Sequence, residues 1–298
     1  MRVVVFGGSG LVGSSFIENF KDIFEINAPG AEMVDILDKD LVHKAIEDFN
    51  PDSVINFAAY TQVEEAEDQL NDKEGICYKI NALGAKNVAE VCKQLDKHLI
   101  HISTEYVFDG EKEFVPYNEE DSPNPKNWYG QTKYFGEKFV AESGVNAAVA
   151  RISMPFSPFF SGKKDVARFF LQQLKDGNKI RTIEDQNISP TIDLDIVKGI
   201  KVLIDNKASG IYHISSKDDT TPLDFAKTIA EIFKLDYSLI NSVSLEEYNK
   251  NKKGKLLKNS SLNPTKFEKE FGDDILHTID EALLIFKEQI ENLKSGLT

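Results

Sequence analysis

Tyr129 and Lys133 stand four residues apart in the stretch YGQTKYFGEK, and Tyr134 and Lys138 repeat that spacing in an overlapping frame. Such a pair, one helical turn apart, can move a proton to or from a carbonyl oxygen. A free phenol has a pKa of about 10 and is a reluctant proton carrier at neutral pH; an ammonium beside it stabilises the phenolate. Lowering that pKa by about three units takes roughly 4 kcal/mol of differential stabilisation. A hydroxyl from a neighbouring strand end can hold the carbonyl in place. The stretch HISTEYVFDG offers Ser103 and Thr104 for that purpose. Successive strand residues point to opposite faces, so one of the two reaches the site.

The spacing alone carries little information. Nine tyrosines and 35 lysines and arginines in 298 residues give about one such pair by chance, and Tyr248 with Lys252 is a third instance. Position decides between the frames. In an open parallel sheet, ligands bind outside the carboxyl ends of the strands, where the following helices begin. The turn-rich run SPNPKNW ends just before Tyr129, which therefore falls in the first turn of a helix. Tyr134 lies about 7.5 Å further along the axis and roughly 140° around it. The two pairs cannot face one crevice; Tyr129 and Lys133 are at the ligand end, and Tyr134 and Lys138 pack or face solvent.

The elements that must hold these side chains alternate. RVVVF (2–6), SVINFAA (53–59), LIHIST (99–104) and NAAVARIS (146–153) read as buried strands, with helical patterns near 11–20, 39–49, 81–96 and 129–142 between them. Strands separated by helices, with little polar alternation, predict an α/β fold: a Rossmann-type, doubly wound parallel sheet covered on both faces. After about residue 153 the pattern changes, through MPFSPFFSGKK, to a helix near 165–176, a strand at 210–215 and helices near 222–234 and 278–293. The expected division is a dinucleotide-binding domain over 1–153, with a return segment near 190–215. A smaller, interleaved α/β substrate-binding domain takes 154–189 and 216–298.

Between the first strand and the first helix, Gly7, Gly10 and Gly13 recur at intervals of three in GGSGLVG. A tight turn needs a residue that tolerates positive φ, and a pyrophosphate needs close approach to the backbone and to the free N–H groups of a helix start. The arrangement predicts a nicotinamide dinucleotide, whose oxidised ring adds a second positive charge beside the phenolate. The segment IFEINAPGAEMVDILD has no arginine or lysine to meet a 2′-phosphate, and Asn27 is the polar residue nearest the second strand's end. The cofactor is NADH or NADPH, with the absence of positive charge tilting towards NADH.

Composition sets the remaining bounds. Hydrophobic residues make up 41% and charged residues 28%, as in soluble globular proteins, and the net charge of −14 argues against a phosphate-neutralising, nucleic-acid-binding surface. An anionic substrate must then be held by local donors. No run approaches the roughly 18 apolar residues of a membrane span, so no membrane partner is expected. Two cysteines, Cys77 and Cys92, make no disulfide framework, and a reduced, cytoplasmic setting fits. Five scattered histidines show no paired metal-ligand spacing, so no metal is expected.

Taken together, these stretches resemble the extended short-chain dehydrogenase/reductases, and among them the dTDP-4-dehydrorhamnose reductase family. The likeness runs through GGSGLVG, PDSVINFAAYTQVEEAE, ISTEYVFDG, YGQTK, DQNISPTIDLD and NSSLNPTKFEKEFG, in order along almost the whole chain. The resemblance implies Tyr129 as proton donor, Lys133 as the ribose-binding, pKa-lowering residue and Thr104 as the hydroxyl assisting the carbonyl. It implies Gly7, Gly10, Leu11, Val12 and Gly13 at the pyrophosphate, Asp35 and Ile36 by the adenine, and Ala58, Ala59 and Tyr60 on the nicotinamide side. Thr61, Val63, Thr104, Glu105, Tyr129 and Met154 would meet the substrate. The implied reaction is reduction of the C4 ketone of a nucleoside-diphosphate 6-deoxy-4-ketohexose, most simply dTDP-4-dehydrorhamnose to dTDP-L-rhamnose, by a homodimer.

Two residues depart from the family pattern: Glu105 replaces the usual aspartate, and Met154 replaces the tryptophan that many members place against the sugar. Methionine fills space without offering a flat face. Lys163, Lys164 and Arg168 are candidates for a diphosphate clamp, although a solvated helix start accounts for them as well. Two other readings share the scaffold: a nucleotide-sugar epimerase or dehydratase, and a non-catalytic subunit resembling the regulatory partner of methionine adenosyltransferase. The latter has no need to keep tyrosine, lysine and threonine together, and this chain has all three.

Overall fold

The computed structural model describes residues 1–159, 162 and 165–295. Among the described residues ten strands form: β1 (Arg2–Phe6), β2 (Glu25–Asn27), β3 (Ser53–Asn56), β4 (His98–Thr104), β5 (Ala147–Ile152), β6 (Pro155–Phe156), β7 (Ile180–Ile183), β8 (Thr191–Ile192), β9 (Gly210–Ile214) and β10 (Ile240–Val243). Six of them make one parallel sheet in the order β2-β1-β3-β4-β5-β9. β1 has β2 on one side and β3 on the other, so the winding reverses beside it. Helices starting on either side of that point open a crevice at the carboxyl edge.

Both faces of the sheet are covered, which is why its strands carry apolar side chains without alternation. On one face, Val3, Val5, Ile100 and Ile102 pack with Phe16 and Ile200 from the helices Leu11–Phe20 and Asp193–Asp205. On the other, Val4, Phe6, Val54 and Leu99 pack with Ile46, Val88 and Val140 from Lys39–Phe49, Ala85–Gln94 and Trp128–Ser143. A separate core gathers Phe156, Phe170, Ile180, Ile192, Phe225 and Phe286, uniting Val166–Lys175, Pro222–Phe233 and Ile279–Ser295 with two short parallel pairs, β7–β10 and β6–β8.

Several ends differ from the sequence expectation. The third strand stops at Asn56 rather than running through Ala59, because the Asn56 carboxamide accepts the Ala58 N–H at 3.1 Å and turns the chain. The helical stretch before β4 is interrupted by a π-turn over Lys79–Gly84. Cys77 and Cys92 are both buried and unpaired. Among the described residues no helix is long and apolar enough to cross a membrane.

Candidate active site

The glycine turn is built from backbone alone. Gly7 adopts φ +78, and a Cβ there would stand 2.4 Å from the Ala58 nitrogen. A Cβ on Gly13 would stand 2.4 Å from the Gly7 carbonyl oxygen. Side chains are thus excluded where β1 passes β3 and enters the helix. Gly10 is the N-cap of Leu11–Phe20 and offers no side-chain acceptor; the first turn has no acidic residue. The N–H groups at Leu11, Val12 and Gly13 therefore head a helix whose positive end is left for an anion. This cradle fits the pyrophosphate of a nicotinamide dinucleotide.

Ala58, Ala59 and Tyr60 follow β3, half-buried. Asn81, in the π-turn, clamps this segment: its Oδ1 accepts the Tyr60 N–H at 2.8 Å and its Nδ2 donates to the Tyr60 carbonyl at 3.1 Å. The same Nδ2 donates to Thr132 Oγ1 at 3.0 Å, tying the segment to the helix of Tyr129. Asp35 is exposed and accepts the Leu37 N–H, whereas the Ile36 side chain is buried in the core against Gly84. The groove wall at Ile36 is therefore backbone, and its carbonyl is held by Asn87 Nδ2 at 3.0 Å.

Trp128–Ser143 starts where its sequence demands. Asn127 caps it through the Gly130 N–H at 2.8 Å, and Glu67 Oε1 accepts the Trp128 N–H at 2.5 Å. Its first turn brings Tyr129 against Tyr106, with ring centroids 5.7 Å apart and near-perpendicular. Tyr60 and Val63 pack on the same cluster. Gly130 permits the approach, since a Cβ there would stand 2.1 Å from the Tyr106 carbonyl oxygen. Tyr129 is 9% exposed, Lys133 3% and Thr104 5%.

The electrostatics of this trio differ from the expectation of an acidified phenol. Burial pushes the Tyr129 hydroxyl well above its ordinary value, Glu105 adds to that, and a hydrogen bond with Thr104 only partly offsets it. Lys133 donates to the Ile102 carbonyl at 2.6 Å, and burial lowers its pKa to about 8, against the opposing pull of Glu137. In a dry pocket desolvation outweighs a neighbouring ammonium engaged elsewhere. A proton donor must start neutral, and this environment keeps the phenol neutral. Of the two candidate hydroxyls, Thr104 meets the tyrosine; Ser103 Oγ is buried beneath the helix without a partner among the described residues.

Glu105 is 6% exposed. Its Oε2 accepts from Thr104 Oγ1 at 2.6 Å, and it also accepts the Met154 N–H. Met154 sits half-buried between β5 and β6 with φ +42, a left-handed backbone held at its other side by the Thr191 N–H on its carbonyl at 3.3 Å. Thr61 is exposed. Val63 begins a short helix, and the basic loop folds back onto it: Gly254 leaves no room for a Cβ beside the Val63 carbonyl, and Glu64 accepts the Lys253 and Gly254 N–H groups. A cavity of about 680 Å³ lies beside the Asn127 cap, lined by Glu67, Lys126, Lys253, Lys255 and Lys258 among others. Arg168 pairs with its own helix cap, Asp165, at 2.7 Å, and Lys163 and Lys164 lie outside the described residues.

The family model of the RmlD substrate binding domain matches residues 1–287. The chain belongs to that family. A spore coat polysaccharide biosynthesis protein of Bacillus subtilis, SpsK, is 31% identical over 83% of this chain and 84% of its own. The methionine adenosyltransferase 2 subunit beta of Rattus norvegicus is 29% identical over 82% and 75%. The dTDP-4-dehydrorhamnose reductase of Bacillus anthracis, solved in complex with NADP, superposes with a TM-score of 0.88 at 29% identity, covering 97% of this chain and 99% of that one.

Within this member of the family, sequence reasoning missed several residues that position the site. Gly130, Asn81 and Gly254 act through close approach or backbone clamps. Glu137 and Arg151 form a buried bidentate pair, Nε–Oε1 2.9 Å and Nη2–Oε2 2.6 Å, that joins the helix of Lys133 to β5. The signal for that pair was an arginine inside an apolar strand run, which burial permits only with a partner.

Proposed function

We propose that the chain is an NAD(P)H-dependent reductase of the C4 ketone of a nucleoside-diphosphate 6-deoxy-4-ketohexose, with dTDP-4-dehydrorhamnose as substrate and dTDP-L-rhamnose as product. The observation that carries it is Tyr129 buried beside Thr104, with Lys133 one turn behind, on a helix tied through Thr132 and Asn81 to the segment after β3 that the glycine turn touches at Ala58. Gly7, Gly10 and Gly13 with the N–H groups at Leu11 and Val12 hold the pyrophosphate. A reduced nicotinamide bound there supplies the hydride. As C4 accepts it, Tyr129 gives its proton to the carbonyl oxygen, completing an alcohol; Thr104 positions that oxygen. Lys133, about 8 in pKa and so largely charged at neutral pH, offsets the phenolate left behind.

Met154, held by backbone on both sides, gives the sugar pocket a pliable wall. The second core, including β7, β10 and the helices after 216, is assigned to substrate binding. No arginine or lysine falls within 23–38, which supports NADH over NADPH. A second reading draws on the rat adenosyltransferase subunit, in which a chain of this kind would be a regulatory partner. Purified protein given dTDP-4-dehydrorhamnose is expected to consume NADH or NADPH in proportion to dTDP-rhamnose formed. No turnover with either reductant, together with a stoichiometric complex with methionine adenosyltransferase, would replace the first reading by the second.

A further inference from the structure

Glu105 is a buried carboxyl group with no counter-charge among the described residues. Its hydrogen-bond partners are the Thr104 hydroxyl at 2.6 Å and the backbone N–H groups of Glu105 itself and Met154. The titratable groups around it come from four elements. Tyr106 lies in its own turn, Tyr129 on the helix opposite, Tyr248 reaches Tyr106 from the Leu245–Asn249 helix, and Cys77 flanks Tyr129. The cations further down that helix side are committed: Lys133 donates to the Ile102 carbonyl, and Arg151 is paired with Glu137. Among the described residues, no cation is paired with this carboxyl group.

The hydrogen inventory of Thr104 then becomes decisive. A hydroxyl has one hydrogen and two lone pairs. One lone pair already accepts the Tyr106 N–H at 3.3 Å. When Glu105 is ionised it can only accept, so it takes the Thr104 hydrogen. The remaining lone pair of Thr104 then draws the Tyr129 hydrogen inward, and neither hydroxyl offers a proton to a ketone. When Glu105 is protonated, its O–H fills that second lone pair. The Thr104 hydrogen must turn outward, and the Tyr129 hydrogen, deprived of an acceptor in Thr104, turns outward with it.

We propose that Glu105 works as a neutral acid that donates to Thr104 and thereby directs the Thr104 and Tyr129 hydrogens at the substrate carbonyl. Glu105 is a positioning residue, acting through Thr104. This rests on the reductase reading above. Burial supports it independently of substrate, raising the Glu105 pKa to about 7.

The test is the pH dependence of kcat in the intact protein with saturating reductant and dTDP-4-dehydrorhamnose. Wild type is expected to lose about twentyfold between about pH 6 and about pH 8, about tenfold of it as Glu105 ionises and about twofold as Lys133 begins to discharge. In Glu105→Gln, whose amide donates at every pH, that fall should flatten to about twofold or less, whatever the absolute rate; Glu105→Asp should keep the fall. A Glu105→Gln enzyme with the wild-type fall overturns the proposal. Infrared spectroscopy of the substrate-free protein gives a second reading. Because burial also raises Glu119, Asp193, Asp195 and Asp218, the reading is the wild-type minus Glu105→Gln difference: it should contain a protonated-carboxyl band at about pH 6 that fades by about pH 9, and a difference without that band overturns the proposal. A wild type that never oxidises reductant sinks the reductase reading instead, and the infrared band still decides the state of Glu105.

Discussion

Two tyrosine–lysine pairs lie five residues apart on one helix and live in different solvents. Tyr129 and Lys133 are buried, the phenol against Thr104 and the ammonium on the Ile102 carbonyl. Tyr134 and Lys138 are half-buried: the Tyr134 ring packs beside Phe108 and Tyr117, and the Lys138 ammonium rides over the Tyr134 ring at 4.9 Å and the Phe135 ring at 4.3 Å. Identical residue types at identical spacing become a buried phenol and ammonium, the proposed proton donor and its charge partner, in one place and a surface cation–π stack in the other. What separates them is where the helix begins relative to the carboxyl edge of the sheet, and how much water that edge excludes.

The contrast can be broken most directly at the phenol. Tyr129→Phe keeps the ring packed on Tyr106 and removes only the hydroxyl, so kcat should fall by about 10²- to 10⁴-fold while the thermal midpoint holds. Comparable turnover in the variant would place the proton donor elsewhere. The dry side of the helix can be attacked from beneath. Arg151→Met strands Glu137 in the interior, and breaking a buried pair in this way costs about 3–5 kcal/mol, measurable as a drop in denaturant midpoint. On the wet side Lys138→Ala should cost no more than about 0.5–1 kcal/mol and leave kcat unchanged, since it loses only a ring contact. A large loss of activity there would erase the distinction between the pairs.

Much of this was legible before any coordinates. Strands β1, β3, β4, β5 and β9 announced themselves as runs of strand length between helical patterns, and the turn-rich run before Tyr129 set that residue in the first turn of a helix. The pieces that escaped are those whose cause is not local. β6 and β8 are two-residue strands among prolines, β7 and β10 pair across some sixty residues, and the helix Asp193–Asp205 lay inside a stretch read only as a return segment. At the site, the acidity of Tyr129 ran opposite to expectation, because pair spacing carries no information about desolvation. The clamp at Asn81 and the close contact at Gly130 depend on which carbonyls come to lie opposite them, which only packing decides.

The seam between β5 and β9 has a consequence for how this chain comes into being. β5 is buried along Ala148–Ile152, yet the strand that seals its outer side arrives only with Gly210–Ile214. Until that late segment emerges from the ribosome, the nascent sheet carries a row of unsatisfied amide and carbonyl groups flanked by apolar side chains, a template for adhesion to other chains. The first 153 residues are therefore a poor candidate for life as a free-standing module. Segments far apart in translation order have to meet before either half is safe from its neighbours.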